Sequence, residues 1–373
     1  MMKDRKRITF LWLAFVVGTL AIFLSNGPTR AQKRVQDLPP PPPKWKPKPT
    51  PTPVPKPAEP EVLDVVRVTS NLVMVPVSVT DSQGQAIQGL TVTDFRLDEE
   101  GKQQEIAEIG DPEQVPLSIA LLFDISSSVS QKNFFIFQQN AAAGFLKQVM
   151  RPADQAAIFT IGNAPVMVQP LASAEVATAK LLTIPPATVS VATAFYDSVS
   201  AAAKYLDDNS PGRHRRVIIV ISDGDDNNSR RILEVPRAEL VAAVTGSASQ
   251  RLQAKHHLAV IDVQQAVQKA DAIFYSVNPG GPSVRLNQMS LRAQSGMSTV
   301  ADATGGTAFL PDGEKDLEMV FRQVAAELRG QYLLGYYANA EVPAGQFRRI
   351  AVTVPTRPQV KVRARQGYYA KQK

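Results

Sequence analysis

Hydrophobic residues in the middle of the chain, between about residues 116 and 329, form short continuous runs separated by longer amphipathic stretches. The short runs predict strands and the longer stretches predict helices. The predicted strands are Leu117–Phe123, Ala156–Ile161, Val217–Ile221 and Ala272–Val277, and the predicted helices are Lys132–Val149, Thr193–Leu206, Leu291–Ala303 and Leu317–Leu328. Apolar strands that alternate with helices are typical of a parallel sheet covered on both faces. We therefore predict an α/β fold with a doubly wound, mostly parallel sheet.

Both flanks of this region carry strand patterns of a different kind, in which apolar residues alternate or run between turns. The predicted strands are Val62–Val68, Leu72–Thr80 and Phe95–Asp98 before the middle region, and Tyr332–Tyr337, Phe347–Val354 and Val360–Ala364 after it. A sheet of so few strands needs a partner layer to bury its apolar face. We expect the two terminal segments to pack together as one small β-sandwich-like module that flanks the α/β region.

The amino terminus has the pattern of an export signal. Four basic residues within Met1–Arg7 precede Ile8–Leu24, a run of 17 residues without a charge, which is a basic region followed by an apolar one. Small residues at Thr29 and Ala31 suit cleavage after Ala31, while a run of this length is close to the minimum for a membrane-spanning helix. Cleavage and retention as an inner-membrane anchor at residues 8–24 both remain open. In either case the positive flank predicts an extracytoplasmic location, in the periplasm, at the cell surface or secreted.

A proline-rich linker follows the leader. Residues 38–60 hold 12 of the 29 prolines, and such a segment cannot form the interior of a helix or sheet because proline lacks the N–H group and fixes φ. The predicted domain organisation is a signal peptide or anchor at 1–31, a linker at 32–60, an N-terminal β module at 61–115, the α/β region at 116–330, and a C-terminal β segment at 331–373.

Charge and cysteine content exclude several classes of function. The chain has a net charge of +7, but residues 1–60 hold 11 basic against 3 acidic residues, a net of +8, and the remainder holds 30 against 31. A nucleic-acid-binding surface is therefore not expected on the folded part, and a membrane contact is expected only through an uncleaved N-terminal segment. The absence of cysteine from the sequence excludes disulfides, thiolate metal sites and a cysteine nucleophile.

Polar residues follow two of the predicted strands at their carboxyl ends, where ligands bind in sheets of this kind. Asp124, Ser126 and Ser128 follow the first strand at alternate positions, Asp223 follows Val217–Ile221, and Thr193 opens the helix between them. Oxygen donors without nitrogen or sulfur suit a hard cation such as Mg²⁺. Taken alone, each motif is more typical of a helix cap or an ordinary turn than of a metal site.

Together these motifs resemble the metal-ion-dependent adhesion site (MIDAS) of von Willebrand factor type A (VWFA) domains. Asp124-x-Ser126-x-Ser128 matches the first motif of that family in full, Thr193 matches its threonine, and Asp223 matches its second aspartate. The resemblance covers about residues 116–330. The flanking sequences around 75–95, 331–337 and 362–369 resemble an exported, acidobacterial VWFA-related subfamily to which little function is assigned.

The resemblance implies a mechanism of binding. By family analogy, Ser126 and Ser128 contact the metal directly, Thr193 directly or through water, and Asp124 and Asp223 mostly through water. Because the direct ligands are then mostly neutral hydroxyl groups, the cation stays electrophilic and recruits a carboxylate from a partner protein that presents Asp or Glu. Mg²⁺ is the expected cofactor, with Mn²⁺ or Ca²⁺ as alternatives.

Two features near the second aspartate extend or depart from the family pattern. Asp225 and Asp226, with Asn227 and Asn228 after them, are candidate accessory metal ligands, or else residues of a solvated loop. About 30 residues, roughly 230–258, intervene before the next strand, and we expect an inserted helix or helix pair. This insertion is either a surface elaboration or a cap that selects the partner.

The leading functional prediction is an exported, non-enzymatic, metal-dependent, adhesion-like protein-binding module. An enzyme is not expected, because serine hydrolysis needs an activated nucleophile and the chain has no G-x-S-x-G elbow. The alternative is an extracytoplasmic assembly or scaffold protein in which the metal is structural or absent.

Overall fold

The structure, a computed structural model, describes residues 72–127, 129, 132–234, 246–280, 288–338 and 343–370. The chain divides into units 1–66 and 67–373, and every described residue belongs to the second unit. The predicted leader, linker and strand Val62–Val68 lie outside the described residues, and so does Ser128. Among the residues that the structure describes, no helix is long and apolar enough to cross a membrane.

Strands and helices alternate through the middle of the described chain. The strands are β1 Leu72–Thr80, β2 Arg96–Glu99, β3 Lys102–Gln104, β4 Ile106–Gly110, β5 Leu117–Asp124, β6 Gln155–Ile161, β7 Val166–Ala172, β8 Arg215–Ile221, β9 Ala272–Val277, β10 Ala308–Phe309, β11 Tyr332–Tyr337, β12 Phe347–Thr353, β13 Lys361–Ala364 and β14 Gly367–Tyr369. The α-helices are α1 Lys132–Val149, α2 Ala174–Leu181, α3 Phe195–Asn209, α4 Arg230–Glu234, α5 Ala248–Lys269, α6 Gln288–Thr304 and α7 Glu314–Gly330. A short 3-10 helix occupies Val92–Asp94.

The central sheet has six strands in the order β10-β9-β8-β5-β6-β7. All neighbouring pairs are parallel except β6 and β7, which are antiparallel. Every residue of β5 is buried, because its alternating side chains enter two different cores. Leu121 and Phe123 join the core formed with α1 and α7, whereas Ala120 and Leu122 join the core formed with α3, α5 and α6. The doubly wound, mostly parallel sheet is therefore confirmed.

Two four-stranded antiparallel sheets make up the rest of the described chain. Their strand orders are β13-β1-β11-β4 and β14-β12-β2-β3, so each sheet combines strands from before and after the central sheet. One shared core, which includes Val77, Leu97 and Tyr336, is buried between them. This arrangement confirms the predicted β-sandwich-like module built from both terminal segments, which we call the β module.

Buried polar contacts join the β module to the helices of the central sheet. Glu327 on α7 is 2% exposed and forms an ion pair with Arg363 on β13, with an N–O distance of 2.5 Å. Arg215, at the start of β8, donates to the carbonyl oxygen of Leu328 and to Gln331 Oε1, both at 3.0 Å. The end of α7 is therefore held from both sides.

The structure differs from the sequence-based expectations at three places. The third helix begins at Phe195, so Thr193 lies before it rather than in its first turn. Within the expected insertion at about 230–258, α4 is a short helix, and α5 is one 22-residue helix that continues to Lys269 and leads into β9. The structure also contains α2 and the strands β3, β4, β7, β10 and β14, for which the sequence pattern made no prediction.

Candidate metal site

The strand order places a crevice between β5 and β8. After β5 the chain continues into α1, whose Phe135 packs in the core on one face of the sheet. After β8 the chain continues through α4 to α5, whose Val263 packs in the core on the other face. The connections therefore leave two adjacent parallel strands toward opposite faces of the sheet. Ligands of doubly wound sheets bind at such switch points, outside the carboxyl ends of the strands.

Asp124 is the last residue of β5 and links the two strand ends at this crevice. Its side chain is 1% exposed. Oδ1 accepts a hydrogen bond from the Ser126 N–H at 2.7 Å, and Oδ2 accepts one from the Ser222 hydroxyl at 2.5 Å. Because Ser222 follows β8 directly, one carboxylate holds the loop after β5 against the end of β8.

The loop after β5 is also attached to the segment that carries Thr193. The Ser127 N–H donates to the Val191 carbonyl oxygen at 3.2 Å, and the Ser127 hydroxyl oxygen accepts from the Val191 N–H at 2.8 Å. Ser126, beside it, is 1% exposed. This pair of hydrogen bonds brings the first motif and the threonine segment together.

Thr193 is 4% exposed, and its backbone is held by the loop after β8. Its N–H donates to Asn227 Oδ1 at 2.9 Å, and its carbonyl oxygen accepts from the N–H groups of Asn227 and Asn228 at 3.1 and 3.0 Å. The three segments that carry Asp124, Thr193 and Asp223 are thus joined pairwise by hydrogen bonds. The sequence indicates Asn227 only as a candidate accessory ligand, and its hydrogen bonds to the backbone of Thr193 are a role that the sequence does not indicate.

The loop that carries Asp223 makes a tight turn at Gly224. Gly224 has a φ of +75°, and a Cβ at this position would lie 2.7 Å from Met297 Cε. A larger residue would be strained by this conformation and would also require the Met297 side chain on α6 to shift. Asp223 Oδ1 accepts a hydrogen bond from the Asp225 N–H at 3.2 Å, which closes the turn.

Asp226 stabilises the start of α3. Its Oδ2 accepts from the Tyr196 N–H at 2.8 Å and from the Ser229 hydroxyl, and its Oδ1 accepts from the N–H groups of Asn228 and Ser229. Both oxygens therefore have protein donors. Asp225 differs, because its Oδ1 is buried and has no hydrogen-bond partner in the part of the chain that the structure describes. The accessory-ligand role of either residue stays a prediction.

The electrostatics of the crevice favour a cation. Burial raises the pKa of Asp124 to about 7, against the lowering effect of hydrogen bonds from Ser126 and Ser222, and the nearby Asp223 carboxylate raises it further. Burial and Asp223 also raise the pKa of Asp225 to about 6. Buried carboxylates whose charges are not balanced fit a divalent cation, which would hold them in their ionised form.

The donor set also fits a hard cation in its chemistry. Within the described ranges, no group of three or more His, Asp or Glu side chains could hold a metal by itself. A site here would therefore depend on the hydroxyl oxygens of Ser126 and Thr193 in addition to the carboxylates of Asp124 and Asp223. Such an oxygen-only set is the one that Mg²⁺ prefers. Ser128 lies outside the described residues, so its place in the set rests on the sequence.

Comparison with known proteins adds several likenesses of fold. The sequence matches no protein-family model and no curated protein. Solved structures similar to this chain include a von Willebrand factor type A protein from Catenulispora acidiphila, at 10% identity over 82% of this chain and 76% of that one, with a TM-score of 0.43.

Two further likenesses cover less of this chain. Proximal thread matrix protein 1 from the mussel byssus, in a structure with a zinc-occupied MIDAS motif, is 13% identical over 60% of this chain, with a TM-score of 0.41. The match spans 48% of that protein, about half its length. An aerotolerance-related membrane protein from Bacteroides fragilis is 13% identical over 57% of this chain and 98% of that one, with a TM-score of 0.37. With every TM-score below 0.5, the case for a metal site rests on the residues of the crevice.

Proposed function

We propose that this chain is a metal-dependent protein-binding module that captures an acidic residue of a partner at the crevice between β5 and β8. One observation carries the proposal. Asp124, Ser126, Thr193 and Asp223 come from three separate segments, and a hydrogen-bonded network holds those segments together at the switch point of the sheet. These are the residue types and the order of the MIDAS motif that the sequence resembles.

Each residue has a defined part in this proposal. Ser126 and Thr193 supply neutral hydroxyl donors, with Ser128 expected beside them. Asp124 and Asp223 supply charge, and Asp124 also fixes the two strand ends. When bound, Mg²⁺ supplies an electrophilic centre with a position open to a carboxylate.

A binding role is preferred to catalysis because two of the three histidines have other partners. His214 Nδ1 lies 3.0 Å from Ser118 Oγ, and His256 Nδ1 lies 3.1 Å from Tyr196 Oη. Ser118 is near the amino end of β5, whereas Asp124 is at the carboxyl end of the same strand. A serine nucleophile at Ser126 would need a base beside it, whereas the Nδ1 atoms of both histidines contact other hydroxyl groups.

The location of the module outside the cytoplasm is part of the proposal and rests on the amino-terminal sequence. A basic segment followed by Ile8–Leu24 supports export, with the proline-rich linker as a spacer between the leader and the binding domain. The scaffold function is retained as the alternative that a failure to bind metal would favour.

The test is thermal unfolding of the full chain at pH 8 in EDTA and in millimolar Mg²⁺ or Mn²⁺. A ligand at 100 times its dissociation constant stabilises the folded state by about 2.7 kcal/mol. We expect a metal-dependent rise in Tm for the wild type and none for Asp124→Asn, which keeps the shape of the side chain but removes its charge. Asp302→Asn, at an exposed position on α6, is the matched control and should retain the rise.

The comparison uses the metal-induced shift of each variant, because loss of a buried charge also changes the Tm in EDTA. An unchanged Tm for the wild type, at concentrations where direct calorimetry also detects no binding, would contradict the metal-dependent function and favour the scaffold.

A further inference from the structure

Arg292 is a half-buried cation beside the proposed metal site that the site chemistry so far does not use. It lies on α6 and packs beside Gly224 and Asp225 of the loop after β8 and beside Tyr196 and His256, with no room for a water molecule between them. Its charge reaches this group of residues, because it counteracts the burial-induced rise in the pKa of Tyr196. The guanidinium is therefore close to the acidic loop.

The described residues give the guanidinium of Arg292 no hydrogen-bond or ion-pair partner. It forms no hydrogen bond and no ion pair within 4.0 Å with any described residue. This includes Asp225, whose Oδ1 is buried and without a partner. The arginine guanidinium has five N–H donors and can bind one carboxylate through two parallel hydrogen bonds. A half-buried arginine without a carboxylate partner among the described residues is therefore available to an external anion.

A bound divalent cation would change the electrostatic potential at the Arg292 guanidinium. Without metal, the net charge of the Asp223–Asp226 loop attracts the guanidinium. With a metal bound, its charge would balance the loop carboxylates, and the electrostatic environment around Arg292 would become more favourable to an additional anion. The arginine and the cation would then repel each other and attract the same kind of ligand.

Building on the proposed function, we propose that Arg292 is the second anion-binding group of this site, and that the partner therefore presents two carboxylates. One carboxylate binds at the metal, and the other accepts hydrogen bonds from the Arg292 guanidinium. The partner is accordingly an acidic segment with at least two Asp or Glu side chains close together, rather than a surface with one isolated acidic residue.

The proposal predicts effects of opposite sign on the metal and on the acidic ligand. Arg292→Gln removes a positive charge near the cation, so the metal should bind more tightly, by about two- to fivefold for a pair of partly screened charges. The same substitution should weaken binding of a ligand with two carboxylates. A change that only loosened the fold would weaken both.

The experiment uses the full chain loaded with Mn²⁺ and reads ligand binding from the relaxation of water protons. The probes are acetate, with one carboxylate, and succinate, glutarate and adipate, whose two carboxylates sample different separations. In the wild type, at least one dicarboxylate should bind about tenfold more tightly than acetate, as expected for a charge-assisted hydrogen bond that is partly buried. In Arg292→Gln the dicarboxylate should bind only about twofold more tightly than acetate, which is the statistical factor for a ligand with two equivalent carboxylates. The affinity for acetate should change little.

Two controls separate the site from general charge and from folding. Arg322→Gln removes the same charge from an exposed position on α7, which packs on the other face of the sheet, and should leave the dicarboxylate advantage intact. Arg292→Lys keeps the charge without the paired donors and should retain part of the advantage. The Tm of each variant in EDTA verifies that it folds.

The outcomes distinguish this proposal from the function on which it rests. If the wild type binds Mn²⁺ and acetate but no dicarboxylate binds better than acetate, or if Arg292→Gln leaves the advantage intact, Arg292 is only a counter-charge for the loop and the proposal is wrong. If the wild type binds no Mn²⁺ at all, the proposed function itself fails and the two-carboxylate partner fails with it.

Discussion

Some titratable side chains near the crevice are buried, although burial disfavours their charged forms. Asp124 is held by protein donors although burial raises its pKa to about 7, and His256 is buried as the neutral form. The sequence indicated Asp124, because its spacing from Ser126 and Ser128 matches a known motif. It placed Ser222 and Asn227 in the polar run after β8 but did not indicate their hydrogen bonds to Asp124 and Thr193, because these join segments far apart in the chain.

His256 should make folding stability depend on pH. Burial lowers its pKa to about 4, with Arg292 and Lys255 acting in the same direction, whereas the ordinary value in the unfolded chain is about 6.5. The unfolded state therefore binds a proton at a pH where the folded state does not, so stability is complete above pH 6.5 and is lost as the pH falls toward 4. After allowance for solvent screening, we expect a loss of about 1 to 2 kcal/mol.

Denaturant unfolding in EDTA between pH 4 and 8 measures this effect. His256→Gln should lack this part of the pH dependence, while His257→Gln, at the exposed neighbouring position, should behave as the wild type. Parallel curves for the wild type and His256→Gln would show that the histidine is protonated equally in both states.

At the scale of elements, α3 shows how a helix can depend on a distant loop. Its N-cap residue, Ala194, makes no side-chain cap. Asp226 and Ser229 instead accept hydrogen bonds from the N–H groups of Tyr196 and Asp197. Donors at the first turn of a helix must find acceptors, and here the loop after β8 supplies them while it also holds Thr193.

The neighbouring aspartates of this loop should therefore respond differently to substitution. Asp226→Ala removes the acceptor for Tyr196 and Ser229, and we expect a loss of about 2 to 4 kcal/mol of unfolding free energy in EDTA. Asp225→Ala removes a carboxylate with one buried oxygen that has no partner among the described residues, so it should change stability by less than about 1 kcal/mol or increase it. Equal losses would contradict the assignment of the cap to Asp226.

Much of the element pattern follows from the sequence, and the exceptions have physical causes. The bounds of β1, α1, β9 and β11 agree with the predicted bounds, because long apolar or amphipathic runs specify an element locally. The start of α3 was placed two residues early because its cap is remote. The edge strand β7 contains Pro170, is partly exposed and pairs irregularly with β6, so its sequence lacks the pattern of a buried strand.

At the scale of the whole molecule, ion pairs join the β module to the central sheet and its helices. Glu327 and Arg363 form a buried pair across the boundary, and Arg365 pairs with the more exposed Asp271, beside β9. Removing one partner of a buried ion pair leaves an unpaired charge, which typically costs about 3 to 5 kcal/mol. The two parts should therefore unfold together.

A double-mutant cycle tests this coupling. Glu327→Gln and Arg363→Met should each lower the unfolding free energy by about 3 kcal/mol or more, and the double variant should lose less than the sum of the two. The measurement is urea unfolding followed by circular dichroism. Additive losses, or two separate transitions in the wild type, would contradict a single cooperative unit.

The strand connections also decide how the molecule would carry a mechanical load. The chain passes from β4 into the domain with the proposed metal site and returns at β11, and these two strands are antiparallel neighbours, with Gly110 opposite Leu333. Both connections leave the β module at the same end of the same strand pair. A tethered partner that pulled on the carboxyl ends of β5 and β8 would therefore apply force to β4 and β11 together, and these two adjacent strands would share the force.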